Sequence, residues 1–131
     1  MKLIFIEMNP PIGTDEVPEL RATIGWERRD DDYPLLLERC LFYAGCRDEQ
    51  HRLVAFAYIC GTGLQHAYLE DVMVHPDVQR HGIGVRLVQA LLNEAAQRQI
   101  EIVTVSFTEQ HASFYEKCGF TIGKGGVWRN E

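Results

Sequence analysis

An α/β (α+β) fold built on one central sheet is what this sequence predicts, and three observations carry it. Short β-rich runs alternate with helical patterns along all 131 residues. The hydrophobic share of 46% with 24% charged residues suits a single packed core, so residues 1–131 are expected to form one domain. One segment, Ile83 to Ala95, repeats its apolar residues at helical spacing with no Gly or Pro after its first turn.

Taken in order, Leu3-Ile4-Phe5-Ile6 reads as an opening strand closed by Pro10-Pro11-Ile12-Gly13. Asp15, Glu16 and Glu19 place negative charge where a helix N-terminus favours it, and Val17, Leu20 and Ile24 share a face, which predicts a helix over about 14–25 with Gly25 as its stop. After the acidic turn Asp30-Asp31-Asp32, Pro34 suits the first position of a short second helix carrying Leu35, Leu36, Leu37 and Cys40. Leu41 to Cys46 and Leu53 to Cys60 read as an antiparallel hairpin, and His66 to Val74 as a further strand stopped by Pro76. Beyond the long helix, Ile102, Val103, Val105 and Phe107 predict a strand, Glu109 to Cys118 a helix ended by Gly119, and Phe120-Thr121-Ile122 with Val127-Trp128 a terminal strand pair. The expectation is thus a mixed, mostly antiparallel sheet of six to seven strands with about four helices.

Composition removes several functions. A net charge of −6 and a pI near 5.3 oppose attraction to phosphate backbones, which excludes nucleic acid as a partner. No run approaches the roughly 20 apolar residues that span a bilayer, and Phe5-Ile6 leads into Glu7-Met8-Asn9-Pro10 rather than a signal sequence, so a cytoplasmic protein without a membrane partner is expected. Cys40, Cys46, Cys60 and Cys118 are irregularly spaced and the five histidines lack ligand spacing, so no metal is expected. Neither serine, Ser106 or Ser113, lies in a G-x-S-x-G elbow.

The strand Tyr68 to Val74, the turn His75-Pro76-Asp77-Val78 and then Gln79-Arg80-His81-Gly82-Ile83-Gly84 opening the best helix form an order suited to binding an anion. Helix N-termini present unpaired N–H groups and the positive end of the dipole, and glycine lets a ligand approach the backbone. Leu87 stands where a dinucleotide fingerprint needs a third glycine, and no G-K-[ST] follows, so dinucleotide and ATP sites are excluded on spacing.

The segment Gln79-x-x-Gly82-x-Gly84 resembles the R/Q-x-x-G-x-G/A acetyl-CoA motif of the GNAT superfamily of N-acetyltransferases, and Phe114-Tyr115-Glu116-Lys117-Cys118-Gly119-Phe120 resembles its F-Y-x-x-x-G-F helix end. That resemblance implies the GNAT fold, with its sheet splayed between strands 4 and 5 and the pantetheine arm of acetyl-CoA in the opening. It implies that backbone groups of Val72, Met73 and Val74 bond the pantetheine, and that Gln79 and the amides of Arg80, His81, Gly82, Ile83, Gly84 and Val85 hold the pyrophosphate. Thr108 stands where many relatives carry a CoA-contacting Asn, and His111 where a small residue is common.

The resemblance also implies acetyl transfer to the primary amine of a small-molecule acceptor by direct attack in a ternary complex, with no metal. Tyr115 matches the tyrosine that protonates the departing thiolate. Leu69-Glu70-Asp71-Val72 is similar to the segment that supplies a water-relayed base in polyamine acetyltransferases, which assigns that role to Glu70. Strand alternation turns Asp71 to the face opposite Glu70, so one carboxylate of the pair is expected in the cleft. The acidic residues Asp15, Glu16, Glu19, Glu27 and Asp30 to Asp32 suggest attraction of a cationic amine. A non-catalytic acyl-CoA-binding or interaction module is the competing reading, and the resemblance leaves a homodimer open.

Overall fold

The computed structural model describes residues 5–131. Its elements run β1 (Glu7–Met8), α1 (Glu16–Thr23), α2 (Tyr33–Arg39), β2 (Phe42–Arg47), β3 (Leu53–Gly61), β4 (His66–Val74), α3 (Ile83–Gln97), β5 (Ile102–Val105) and α4 (Ala112–Lys117), with 3-10 turns at Pro76–Val78 and Glu109–His111. The strands form one mixed sheet in the order β1-β2-β3-β4-β5. Neighbours pair antiparallel from β1 to β4, while β4 and β5 pair parallel.

The predicted six to seven strands reduce to five among the described residues, because neither Phe120–Ile122 nor Val127–Trp128 enters the sheet. Glycines at 119, 123, 125 and 126 leave these short runs little side-chain surface to pack, which weakens a strand. Of the opening run, Leu3 and Ile4 lie outside the described residues, and the first strand is Glu7–Met8, paired with Gly45 and Ala44. Four helices agree with expectation. The segment predicted as one helix from Glu109 divides into a 3-10 turn and α4.

β3 is the central strand, and its two faces explain where the helices go. On one face Ala55 and Ala57 join Ala44 of β2 and Ala67 of β4, small residues over which Leu87, Val88 and Leu91 of α3 pack. On the other, Leu53 and Phe56 meet Val17 and Leu20 of α1 and Tyr33 of α2. All of these are at most 4% exposed, so each face removes its apolar stripe from water.

The first turn of α1 is tied to the sheet by one ion pair. Glu16 accepts from the Gly13 amide at 2.8 Å and from both terminal nitrogens of Arg47, whose guanidinium also reaches the carbonyls of Pro11 and His51. The hydrogen bond from Arg47 holds the Glu16 carboxyl below the usual carboxylate range. A carboxyl depressed in the folded state stabilises above its unfolded pKa and loses that contribution as pH falls through the folded value. Arg47→Met is therefore expected to cost up to about 1 kcal/mol near neutral pH, where the pair is partly exposed. Thermal unfolding across acid pH checks this: the gap between variant and wild type closes as Glu16 takes up its proton.

Candidate active site

The site begins with an irregularity in β4. Phe56 pairs with Met73 and Tyr58 with Glu70, so Ala57 of β3 stands opposite two residues, Asp71 and Val72. This is a β-bulge, and Asp71 sits in the left-handed region with φ 53°. The bulge corrects the alternation expected from sequence. Glu70 and Asp71 both line one cleft instead of turning to opposite faces.

Asp71 is held from the helix side. Its Oδ2 accepts from Arg21 Nη1 of α1 at 3.0 Å and from the Tyr33 hydroxyl of α2, and Arg21 also donates to Tyr33 at 2.9 Å. Arg21 is 9% exposed, with its guanidinium over the rings of Trp26 and Tyr33. Removal of the Asp71 carboxylate strands this buried cation. Asp71→Ala is expected to lower folding stability by roughly 3 kcal/mol or more, read from denaturant midpoints.

From Glu70, just before the bulge, β4 and β5 part. Their pairing runs only from His66–Ile102 to Leu69–Val105, so Glu70 to Val74 have no β5 partner. The result is a cleft of about 920 Å³ that reaches both faces of the sheet. Trp26, Glu70 and Asp71 line it toward α1. Val72 and Val74, on the α3 side, lead to the loop before α3.

That loop is shaped by its own sequence. The Gln79 side chain donates to the Val74 carbonyl at 3.0 Å, clamping the turn to the end of β4. Arg80 at φ 73° and Gly82 at φ 75° both take left-handed backbone, and Gly82 caps α3. The opening residues of α3, Ile83, Gly84 and Val85, line the cleft. Gly84 has a second reason to be glycine. A Cβ there would lie 3.0 Å from Phe114 Cε1 and 3.6 Å from Val74 Cγ2, so the two resembling motifs touch at this point.

Opposite the loop stands an aromatic cluster. Tyr115 is 7% exposed, stacks on Phe107 at 4.8 Å between centroids and meets Phe114 and Phe120 edge-on. Burial, followed by the charges of Cys118 and Glu70, pushes its hydroxyl up to about 12. Burial and then the neighbouring Asp71 also raise the Glu70 carboxyl above its ordinary value.

The Acetyltransferase (GNAT) family profile matches residues 6–120. The chain belongs to the GNAT acetyltransferase family. It is 28% identical over 130 residues to an uncharacterized N-acetyltransferase, ycf52, of Pyropia yezoensis, covering 96% of this chain and 75% of that one. Over 63 residues it is 36% identical to the glucosamine 6-phosphate N-acetyltransferase of Schizosaccharomyces pombe, a match covering 48% of this chain and 51% of the relative. A solved GNAT acetyltransferase from Streptococcus pneumoniae superposes with a TM-score of 0.77 at 25% identity, covering 98% of each chain. This GNAT chain is accordingly an acetyltransferase, and acetyl-CoA is the donor its family uses.

Within the GNAT cleft stand Glu70, Val72, Val74, Gln79, Arg80, Gly82, Ile83, Gly84, Val85, Thr108 and Tyr115. Two sequence-chosen residues stand elsewhere. The Met73 side chain is 1% exposed in the core under α1 and α2, and His81 does not line the cleft. Thr108 Oγ1 lies 3.3 Å from His111 Nδ1, and both border the opening. Sequence reasoning missed Trp26, Ser106, Phe107 and Gln110 at the cleft. Trp26 carried no periodic signal, whereas Ser106 and Phe107 follow from where β5 ends.

The acidic residues before α2 are largely engaged with cations. Asp30 pairs with Arg28, and Asp32 and Glu27 with Arg29. Among the described residues of the run 26–32, Trp26 alone lines the cleft.

For Gly84→Ala the added methyl must displace Phe114 or the first turn of α3, at an expected cost of about 1–3 kcal/mol. Thermal melts measure that loss. A companion Gly84→Ala/Phe114→Leu variant should recover part of it.

Proposed function

We propose that this acetyltransferase moves the acetyl group of acetyl-CoA to a primary amine of a small cationic acceptor by direct attack in a ternary complex. One observation carries the reading: a single cleft joins the α3 N-terminus, the buried Tyr115 and the Glu70–Asp71 pair. The donor would enter from the α3 side, its pyrophosphate at the amides from Arg80 to Val85, where unpaired N–H groups and the helix dipole favour an anion. Gly82 presents no Cβ along that approach. Backbone groups of Val72 and Val74, free of β5, are suited to the amides of the pantetheine arm and to the thioester carbonyl.

The acceptor would come from the α1 side, past Trp26. Its nitrogen must be neutral to attack, so an ammonium sheds a proton first, and Glu70 can take it through water. Attack forms the N–C bond. Collapse of the tetrahedral adduct breaks the C–S bond; the thiolate takes a proton from Tyr115, and the extra proton on the adduct's nitrogen passes through water to restore the phenol, leaving the amide and free CoA thiol. A hydroxyl held near 12 keeps its proton at neutral pH, which a general acid requires. Glu70 rather than the paired surface acids would supply the negative charge that favours a cationic amine, because Asp71 is already compensated by Arg21. We take residues 1–131 as one such catalytic domain acting in the cytoplasm.

Thiol release from acetyl-CoA across a panel of polyamines, amino sugars and amino acids tests the acceptor class. Tyr115→Phe should lower kcat by about a hundredfold or more while acetyl-CoA affinity stays put. The base must be ionised, so kcat/KM should rise with pH through a Glu70 pKa above the ordinary range, and Glu70→Gln should abolish that limb. Undiminished turnover in Tyr115→Phe, or an unaltered profile in Glu70→Gln, counts against the respective assignment.

A further inference from the structure

Across the sheet from Glu70 stands a second polar head. Tyr58 of β3 pairs directly with Glu70 of β4, in the matched pair that adjoins the bulge. Residues directly opposite in an antiparallel ladder share a face, with Cβ atoms about 4.5–5.5 Å apart. That face carries α1 and α2: the Tyr58 ring lies 6.2 Å from Phe56 and packs against the cluster of Val17, Leu20 and Tyr33.

Both heads are unclaimed by the protein. Among the described residues, no side-chain hydrogen bond or ion pair engages the Tyr58 hydroxyl or the Glu70 carboxylate. Their neighbours are committed, since Tyr33 donates to Asp71 and Arg21 pairs with it. Every buried side-chain nitrogen or oxygen among the described residues has a partner, so the unpartnered Tyr58 hydroxyl reaches solvent. Burial, then the charges of Asp71 and Glu70, pushes that hydroxyl well up. It stays protonated at neutral pH and can donate without competing with Glu70 as a base.

A water held by a carboxylate alone is free to turn, whereas one that also accepts from a fixed hydroxyl has its own protons directed. We propose that Tyr58 is a positioning residue for acetyl transfer: its hydroxyl and the Glu70 carboxylate together hold the water through which the acceptor's ammonium loses its proton. An N–H bond of the ammonium breaks toward that water, the water passes a proton to the carboxylate, and Tyr58 keeps its own. This role rests on Glu70 being the base. The titratable and charged groups around the pair are Asp71 on β4, compensated by Arg21 of α1, Cys60 on β3, Tyr33 on α2 and Tyr115 on α4. Tyr58→Phe removes none of them and keeps a ring against Phe56, so its thermal stability should match wild type.

Carbon-13 NMR of carboxyl-labelled glutamates reads the pair without any acceptor, the Glu70 signal being the one lost in Glu70→Gln. Tyr58→Phe should make Glu70 bind its proton about threefold or more tightly, because the carboxylate loses a donor relayed by water. Thiol release from acetyl-CoA is then followed with the fastest of spermidine, glucosamine and glycinamide. Tyr58→Phe should lower kcat about fivefold to tenfold, move the rising limb of kcat/KM to higher pH and leave acetyl-CoA affinity unchanged. In the Glu70→Gln background the same substitution should cost nothing further. An unmoved Glu70 titration in Tyr58→Phe overturns the role, as does a loss of equal size in both backgrounds. If Glu70→Gln leaves the limb in place, the base assignment falls and takes the Tyr58 role with it. If Glu70→Gln removes the limb while Tyr58→Phe leaves it unmoved, the Tyr58 role alone falls.

Discussion

The bulge at Asp71 is the constraint on which the rest of the site depends. A regular β4 would keep its partners in step on both sides and could continue pairing with β5 past Leu69. The extra residue opposite Ala57 changes the path of the strand. Left-handed backbone at an aspartate costs on the order of 1 kcal/mol, and it persists only where surroundings hold it. Arg21 and Tyr33 supply that hold from α1 and α2, so the two N-terminal helices secure the shape of a cleft whose far end lies at α3.

Two titratable groups in that cleft are shifted in the same direction for the same principal cause. Burial raises both Glu70 and Tyr115, with opposite consequences for their chemistry. A raised carboxyl becomes a better proton acceptor once ionised. A raised phenol becomes a group that stays protonated at neutral pH. The base and the acid of the proposed reaction would thus both owe their protonation behaviour to one desolvated environment.

Much of this was legible in the sequence wherever a pattern was local. The 3.6-residue recurrence from Ile83 to Ala95 marked α3, and Gly82 with Gly84 marked the turn that opens it. Alternation misjudged Asp71, because a bulge is decided by the partner strand and by a buried arginine fifty residues upstream in the sequence, neither of which a strand pattern encodes. The terminal pair failed for a different reason: Phe120–Ile122 and Val127–Trp128 have strand-forming residues, but the glycines at 119, 123, 125 and 126 leave them little side-chain surface to hold a strand. Trp26 was invisible because it follows a helix stop and reaches the cleft through the turn after α1. Gly84 was legible as a motif residue, while its contact with Phe114 appeared only in three dimensions.

The proposed chemistry requires acetyl-CoA to occupy the gap between β4 and β5 with its pyrophosphate at α3. Amide hydrogen exchange with and without acetyl-CoA measures this directly. Slowed exchange confined to Val72–Val74 and the loop from Arg80 to Val85 is predicted, with little change along β2. Tight binding that leaves both segments exchanging at their ligand-free rates would contradict it.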